Sequence, residues 1–154
     1  MKKKINIQDQ MGRTALHMAA SWADYRSLKL LLKVEGIDLN VKDAHDKTPL
    51  FKAIEMQSLA CVRLLVQAGA KARVTCRDGR NALEYAITEF GDECYSIIEY
   101  LYCARGIRDV DMATRHMNLL HQVTLAKRHV SVDKVIRMIF DSGAEREPME
   151  GNLR

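Results

Sequence analysis

A short pattern that returns about every 33 residues constrains this chain more than any other feature. Thr14-Ala15-Leu16-His17-Met18-Ala19 is echoed by Thr48-Pro49-Leu50-Phe51-Lys52-Ala53 and by Asn81-Ala82-Leu83-Glu84-Tyr85-Ala86. A fainter copy is Asn118-Leu119-Leu120-His121-Gln122-Val123. The first residues of the four copies stand 34, 33 and 37 positions apart. A period of that length marks an array of small helical units, none of which buries its apolar face alone. It also fixes the role of His17, whose place beside a threonine could otherwise suggest catalysis. Phe51 and Glu84 take the histidine's place in the next two copies, so no chemistry depends on it.

Each copy predicts a helix, a turn, a second helix and a loop opened by glycine. Leu16, Ala19 and Ala20 give the first helix a small apolar face, and Leu28, Leu31 and Leu32 give one to the second. Gly36 follows, able to take positive φ at a helix end. The same order recurs as Leu64-Leu65-Val66 with Gly69, Ile97-Ile98 and Leu101 with Gly106, and Val135-Ile136 and Ile139 with Gly143. From loop glycine to the next motif is 12 positions each time: Gly36 to Thr48, Gly69 to Asn81, Gly106 to Asn118. That segment is expected to be geometrically locked. The spacing between paired helices grows in copies three and four, which places their insertions there, facing solvent. Threonine or asparagine at the motif start caps the first helix. Pro49 sits early in its helix, where a missing N–H costs nothing.

The motif, the period and the Gly69-Ala70 closing the second helix resemble the ankyrin repeat, from about Ile5 to about Ala144. The resemblance implies an all-α repeat solenoid of stacked helix-turn-helix units with short β-hairpin-like loops. The units fall at about 9–42, 43–75, 76–112 and 113–144, with 1–8 the end of a preceding repeat and 145–154 a polar tail. Copy four departs most, with His116 at the turn-glycine position and Val123 where alanine is usual. Ile5-Asn6-Ile7-Gln8-Asp9 matches Leu39-Asn40-Val41-Lys42-Asp43, which favours a piece of a longer array over a short stand-alone one.

Composition removes several function classes. Apolar residues make up 47% and charged residues 29% of 154, and the net charge of +4 is too mild to argue a nucleic-acid partner. No run approaches the ~18 apolar residues of a membrane span. The basic start, Met1 to Lys4, has no apolar stretch behind it and is not a secretory signal. Cys61, Cys76, Cys94 and Cys103 are spaced 15, 18 and 9 apart, matching no zinc pattern. Reduced thiols are expected, and with them a cytoplasmic or nuclear location. His17, His45, His116, His121 and His129 join no cysteine at metal-ligand spacing, and no phosphate-binding loop is present. The expectation is no catalytic residue, no metal, no cofactor, and a monomer that is not an enzyme.

What remains is a binding surface. The resemblance implies an L-shaped stack whose loop tips and first helices line a concave face. The tips hold Gln10, Met11 and Arg13; Ala44, His45 and Lys47; Arg77, Asp78 and Arg80. The first helices end in Ser21 and Trp22, Glu55 and Met56, Thr88 and Glu89. Arg13, Lys47 and Arg80 share one repeat position, and form either a row of cations for an acidic partner segment or ordinary solvated loop charges. Trp22 is either a binding hot spot or a cover for the naked end of copy one. The expected function is a protein–protein interaction module or scaffold. The alternatives are a regulatory domain severed from a larger enzyme or ion channel, and a short kappaB-inhibitor-like protein.

Overall fold

The motif's first residue explains where the first helix of each unit begins. In the computed structural model, which describes residues 4–104, 112–126 and 131–144, α1 (Ala15–Ser21) starts behind Thr14. The Thr14 side chain accepts a hydrogen bond from the His17 N–H, and the His17 ring accepts one from the Thr14 N–H. This reciprocal cap satisfies two donors that a helix start leaves orphaned. Asn81 and Glu84 do the same for α5 (Ala82–Phe90). α3 (Pro49–Glu55) follows Thr48 without a side-chain cap bond, with Pro49 in its first turn.

The second helices, α2 (Tyr25–Leu31) and α4 (Leu59–Gln67), are capped by Asp24 and Ser58. Between the helices of each of the first three pairs the chain pivots on one left-handed residue: Ala23, Gln57 and Gly91, at φ 52°, 53° and 55°. In copy three a 3-10 turn, Gly91–Cys94, then precedes α6 (Tyr95–Cys103), so the insertion lies where the spacing put it. α7 (Met112–Leu125) and α8 (Val132–Ala144) complete the helices.

Stacking follows the repeat. α1 packs on α3, α3 on α5 and α5 on α7, while α2, α4 and α6 form a second row behind them. Ala20, Ala53 and Ala86, one per unit, are each fully buried, and their small size lets neighbouring first helices approach. Leu28, Val62, Leu65, Ile98 and Leu101 fill the space between the rows. Among the described residues there is no strand. The hairpin-like loops are tight turns in which Asp9, Asp43 and Cys76 donate N–H bonds to the carbonyls of Arg13, Lys47 and Arg80 at 2.9, 2.9 and 3.0 Å. Successive turns are stitched together: Ala44 N–H donates to Met11 O at 2.9 Å, and Arg77 N–H to His45 O at 3.4 Å.

Copy four corrects the expectation. α7 is already helical at Met112, so His116 and Asn118 lie inside a helix, at neither a turn nor a cap. The locked 12-residue connection therefore does not extend to this copy. No glycine, proline or Asp-Gly pair interrupts Met112 to Asn118, and nothing there favours a turn over continued helix. Gly143 likewise falls within α8. The expectations for Gly106, His129 and the tail 145–154 lie outside the described residues.

Candidate binding face

The turns and first helices form one face, and its local geometry comes from carboxylates at the turn starts. Asp9 accepts N–H bonds from Met11 at 2.9 Å and Arg13 at 2.8 Å. Asp43 accepts from His45 at 2.8 Å and Lys47 at 3.0 Å. Burial works against the Asp43 anion, yet these bonds and Lys52 at 3.2 Å hold its pKa below the usual value. Cys76 occupies this position in the third turn and is buried.

The cations carried by these turns are not free. Arg13 pairs with Asp9 at 2.9 Å. Lys47 meets Glu55 at 2.5 Å and the Tyr85 hydroxyl at 2.9 Å. Arg80 meets Glu89 at 2.6 Å, Asp78 at 2.8 Å and Thr88 Oγ1 at 2.5 Å. Tyr85 joins two of the three: its hydroxyl donates to Glu55 at 3.0 Å, and Lys47 and Arg80 stand 4.7 and 5.3 Å from its ring centroid. Lys52 adds a contact to Glu55 at 3.4 Å. Phe51 and Phe90 pack edge-on against the same ring, at 5.2 and 6.2 Å. Burial is the largest single influence and disfavours the charged forms of Lys47 and Glu55, but their mutual hydrogen bond, the Tyr85 hydroxyl and the surrounding charges together outweigh it, raising the lysine's pKa and lowering the carboxylate's.

This arrangement corrects the picture of a solvated cation row. The Lys47 and Arg80 side chains are only 21% and 20% exposed, and carboxylates of the same chain match all three charges. Thr88 is a correction as well. It is buried, supporting Arg80 and not facing outward. Glu55 and Glu89 are half-buried members of the network. Gln10, Met11, His45, Arg77, Asp78, Trp22 and Met56 are exposed, and Ser21 is half-buried. Trp22 is 70% exposed, too open to cover the end of copy one.

Tyr85 and Lys52 were not singled out from the sequence, although a signal was there. Met18, Lys52 and Tyr85 occupy one repeat position, directly after the variable fourth residue of the motif. Asp43 and Phe90 were missed too, although their partners are near in sequence: His45 and Lys47 for Asp43, Tyr85 for Phe90. Among the described residues no group of three or more His, Cys, Asp or Glu side chains could hold a metal ion.

The family model described as ankyrin repeats (3 copies) matches residues 23–114. The chain is 32% identical over 77 residues to E3 ubiquitin-protein ligase KEG of Arabidopsis thaliana, covering 50% of this chain and 5% of that protein. It is 34% identical over 101 residues to a transient receptor potential cation channel subfamily A member 1 homolog of Caenorhabditis elegans, covering 66% of this chain and 8% of the channel. Ankyrin repeat domain-containing protein 37 of Xenopus tropicalis is 26% identical over 119 residues, with 75% and 67% covered. The chain thus spans only a small part of the two longer relatives.

Proposed function

The chain belongs to the ankyrin-repeat family, and we propose that it is a protein-interaction module with no catalysis of its own. The partner is proposed to dock on the face of turns and first helices, the concave face that the resemblance implies. One observation carries this reading. The charged residues of the face are locked by partners of the same chain, while Trp22, Met56 and Met11 stand 70%, 48% and 47% exposed beside them. A fixed polar floor loses little side-chain entropy on docking, and large apolar side chains next to it act as anchors. The four free cysteines support placing the module in the cytoplasm or nucleus. We divide the array at 9–42, 43–75 and 76–112, after the recurrence of its tips, with 113–144 as a fourth unit whose start lies in α7 and carries no tip.

The test has two stages. Partners captured by the full chain in cells are identified by mass spectrometry, then titrated against Trp22→Ala and Met56→Ala. Each exposed anchor is expected to contribute about 2 kcal/mol, roughly thirtyfold in Kd, with the helical circular dichroism unchanged. A partner that binds the double variant as tightly as the parent protein would remove this face as the interface.

A second reading is a regulatory ankyrin domain within a larger protein. The small share of the ligase and channel relatives that the chain covers favours it. Sequencing the full transcript distinguishes the two.

A further inference from the structure

The second-helix row presents a different surface. Between α2 and α4 lies a cleft of about 400 Å³ lined by Tyr25, Leu59, Ala60, Arg63, Leu64 and Gln67. Tyr25, Leu59, Ala60 and Leu64 give it an apolar side beside the polar Arg63 and Gln67, and Tyr25 is exposed. Arg26, Lys29 and Lys33 on and just beyond α2, and Arg63 on α4, are all exposed. Neither Tyr25 to Val34 nor Ser58 to Val74 contains an acidic residue. Among the described residues none of these four cations forms an ion pair. Lys29 stands over the Tyr25 ring at 5.9 Å and Arg63 over Tyr100 at 5.3 Å, arrangements that leave their N–H donors available. The contrast with the opposite face is physical: there Arg13, Lys47 and Arg80 each hold a carboxylate, and here only Arg26 feels one, Asp24 at the head of α2, without an ion pair between them.

We propose that this cleft is a second docking site, and that its occupant is an acidic amphipathic segment of a partner protein. One large apolar side chain of the segment enters between Tyr25, Leu59 and Leu64. Its Asp or Glu side chains meet Arg26, Lys29, Lys33 and Arg63. The pairing of an apolar slot with Arg63 in its lining and Lys29 over Tyr25 selects a peptide over a bare polyanion, which would leave the slot empty. The proposal rests on the interaction-module reading but places the contact on the other row of helices, so the two fail separately.

The probe is a random twelve-residue peptide library displayed on phage and selected against the full chain. Acidic peptides carrying a Leu, Phe or Trp are expected, and a labelled synthetic copy should shift amide resonances at Tyr25 to Lys33 and Leu59 to Gln67. The double variant Lys29→Glu, Arg63→Glu changes two exposed side chains and should weaken that peptide about tenfold or more, with a smaller loss at high salt. The resonance map uses the unaltered protein and stands even if the variant folds poorly. Selected peptides that lack acidic residues overturn the proposal. So does displacement of the peptide by an equal concentration of oligo-dT, or peptides whose shifts fall on the turns and first helices. In that last case the concave-face reading survives alone, and a library yielding no peptide counts against both.

Discussion

His17 Nε2 lies 2.9 Å from the carbonyl oxygen of Lys47, and its Nδ1 lies 3.1 Å from the Thr14 amide nitrogen. An amide N–H only donates, so Nδ1 is the acceptor and Nε2 carries the proton. The neutral ring therefore links the cap of one helix to the turn of the next unit. Burial lowers its pKa from 6.5, because an imidazolium there would lose its hydration and face the Thr14 N–H. The sign follows from linkage. Below the unfolded pKa the unfolded chain takes up a proton that the native ring resists, so stability is full above about pH 6.5 and falls as pH drops through the folded value. His17→Leu should cost about 2 kcal/mol near neutral pH by leaving the Lys47 carbonyl and Thr14 N–H unpaired. It should also flatten the pH dependence. Urea midpoints at about pH 7.5 and pH 5.5 check this, and a variant as acid-sensitive as the parent protein would place the titration elsewhere.

At the scale of the turns, one backbone conformation is met by three residues at matched positions. Gly12, Asp46 and Gly79 take φ 72°, 59° and 76°, where glycine has no Cβ penalty and aspartate is tolerated. The two glycines differ in their surroundings. A Cβ on Gly12 would come within 3.0 Å of the Ala44 nitrogen and 3.1 Å of Asp43 Cα, both backbone atoms of the next turn. A Cβ on Gly79 would meet nothing within 4 Å. Gly79→Ala should therefore cost only the dihedral strain, about 1 kcal/mol. Gly12→Ala should cost roughly twice that or more, since it displaces the Met11–Ala44 stitch between units. Equal losses in chemical denaturation would show that the close approach carries no weight. Three of the four units were legible in the sequence because cap, glycine and apolar positions recur together. The fourth was misread because a spacing of 12 was carried to Asn118 with no turn residue behind it. The cation row was legible for the same reason, but its neutralisation was not. Glu55 and Glu89 lie eight or nine residues beyond Lys47 and Arg80, and only the fold brings each carboxylate back to its turn.

Across the whole stack, each unit depends on its neighbours, so the ends should open before the middle. α3 and α5 are covered on both sides by first helices. The outermost surfaces are not covered: Leu30 is 66% exposed on α2, and Phe140 is 71% exposed on α8. α1 is firmer than its position implies, because Thr14 and His17 cap it fully and Leu16 and Ala20 are buried. The last pair is held differently. Asp92 stands one residue after the pivot, where Asp24 and Ser58 cap their helices, yet its carboxylate accepts from the Ser131 N–H at 3.0 Å and the Ser131 hydroxyl at 2.5 Å. Lys134 lies 3.5 Å from the same carboxylate, and the Tyr95 hydroxyl donates to the Lys134 carbonyl at 3.4 Å. The insertion in copy three has thus turned a helix cap into a strap on α8. These contacts hold the Asp92 pKa low, so the strap is present at neutral pH and is lost as pH falls through the carboxylate's range. Hydrogen exchange should be slowest in α3 and α5 and faster in α8. Asp92→Ala should quicken exchange in α8 while α3 and α5 keep their protection, because the bonds to Ser131 and Lys134 lie at the start of α8. A variant in which all helices exchange faster together would mean that the array opens as one cooperative unit, and that the strap secures the whole stack.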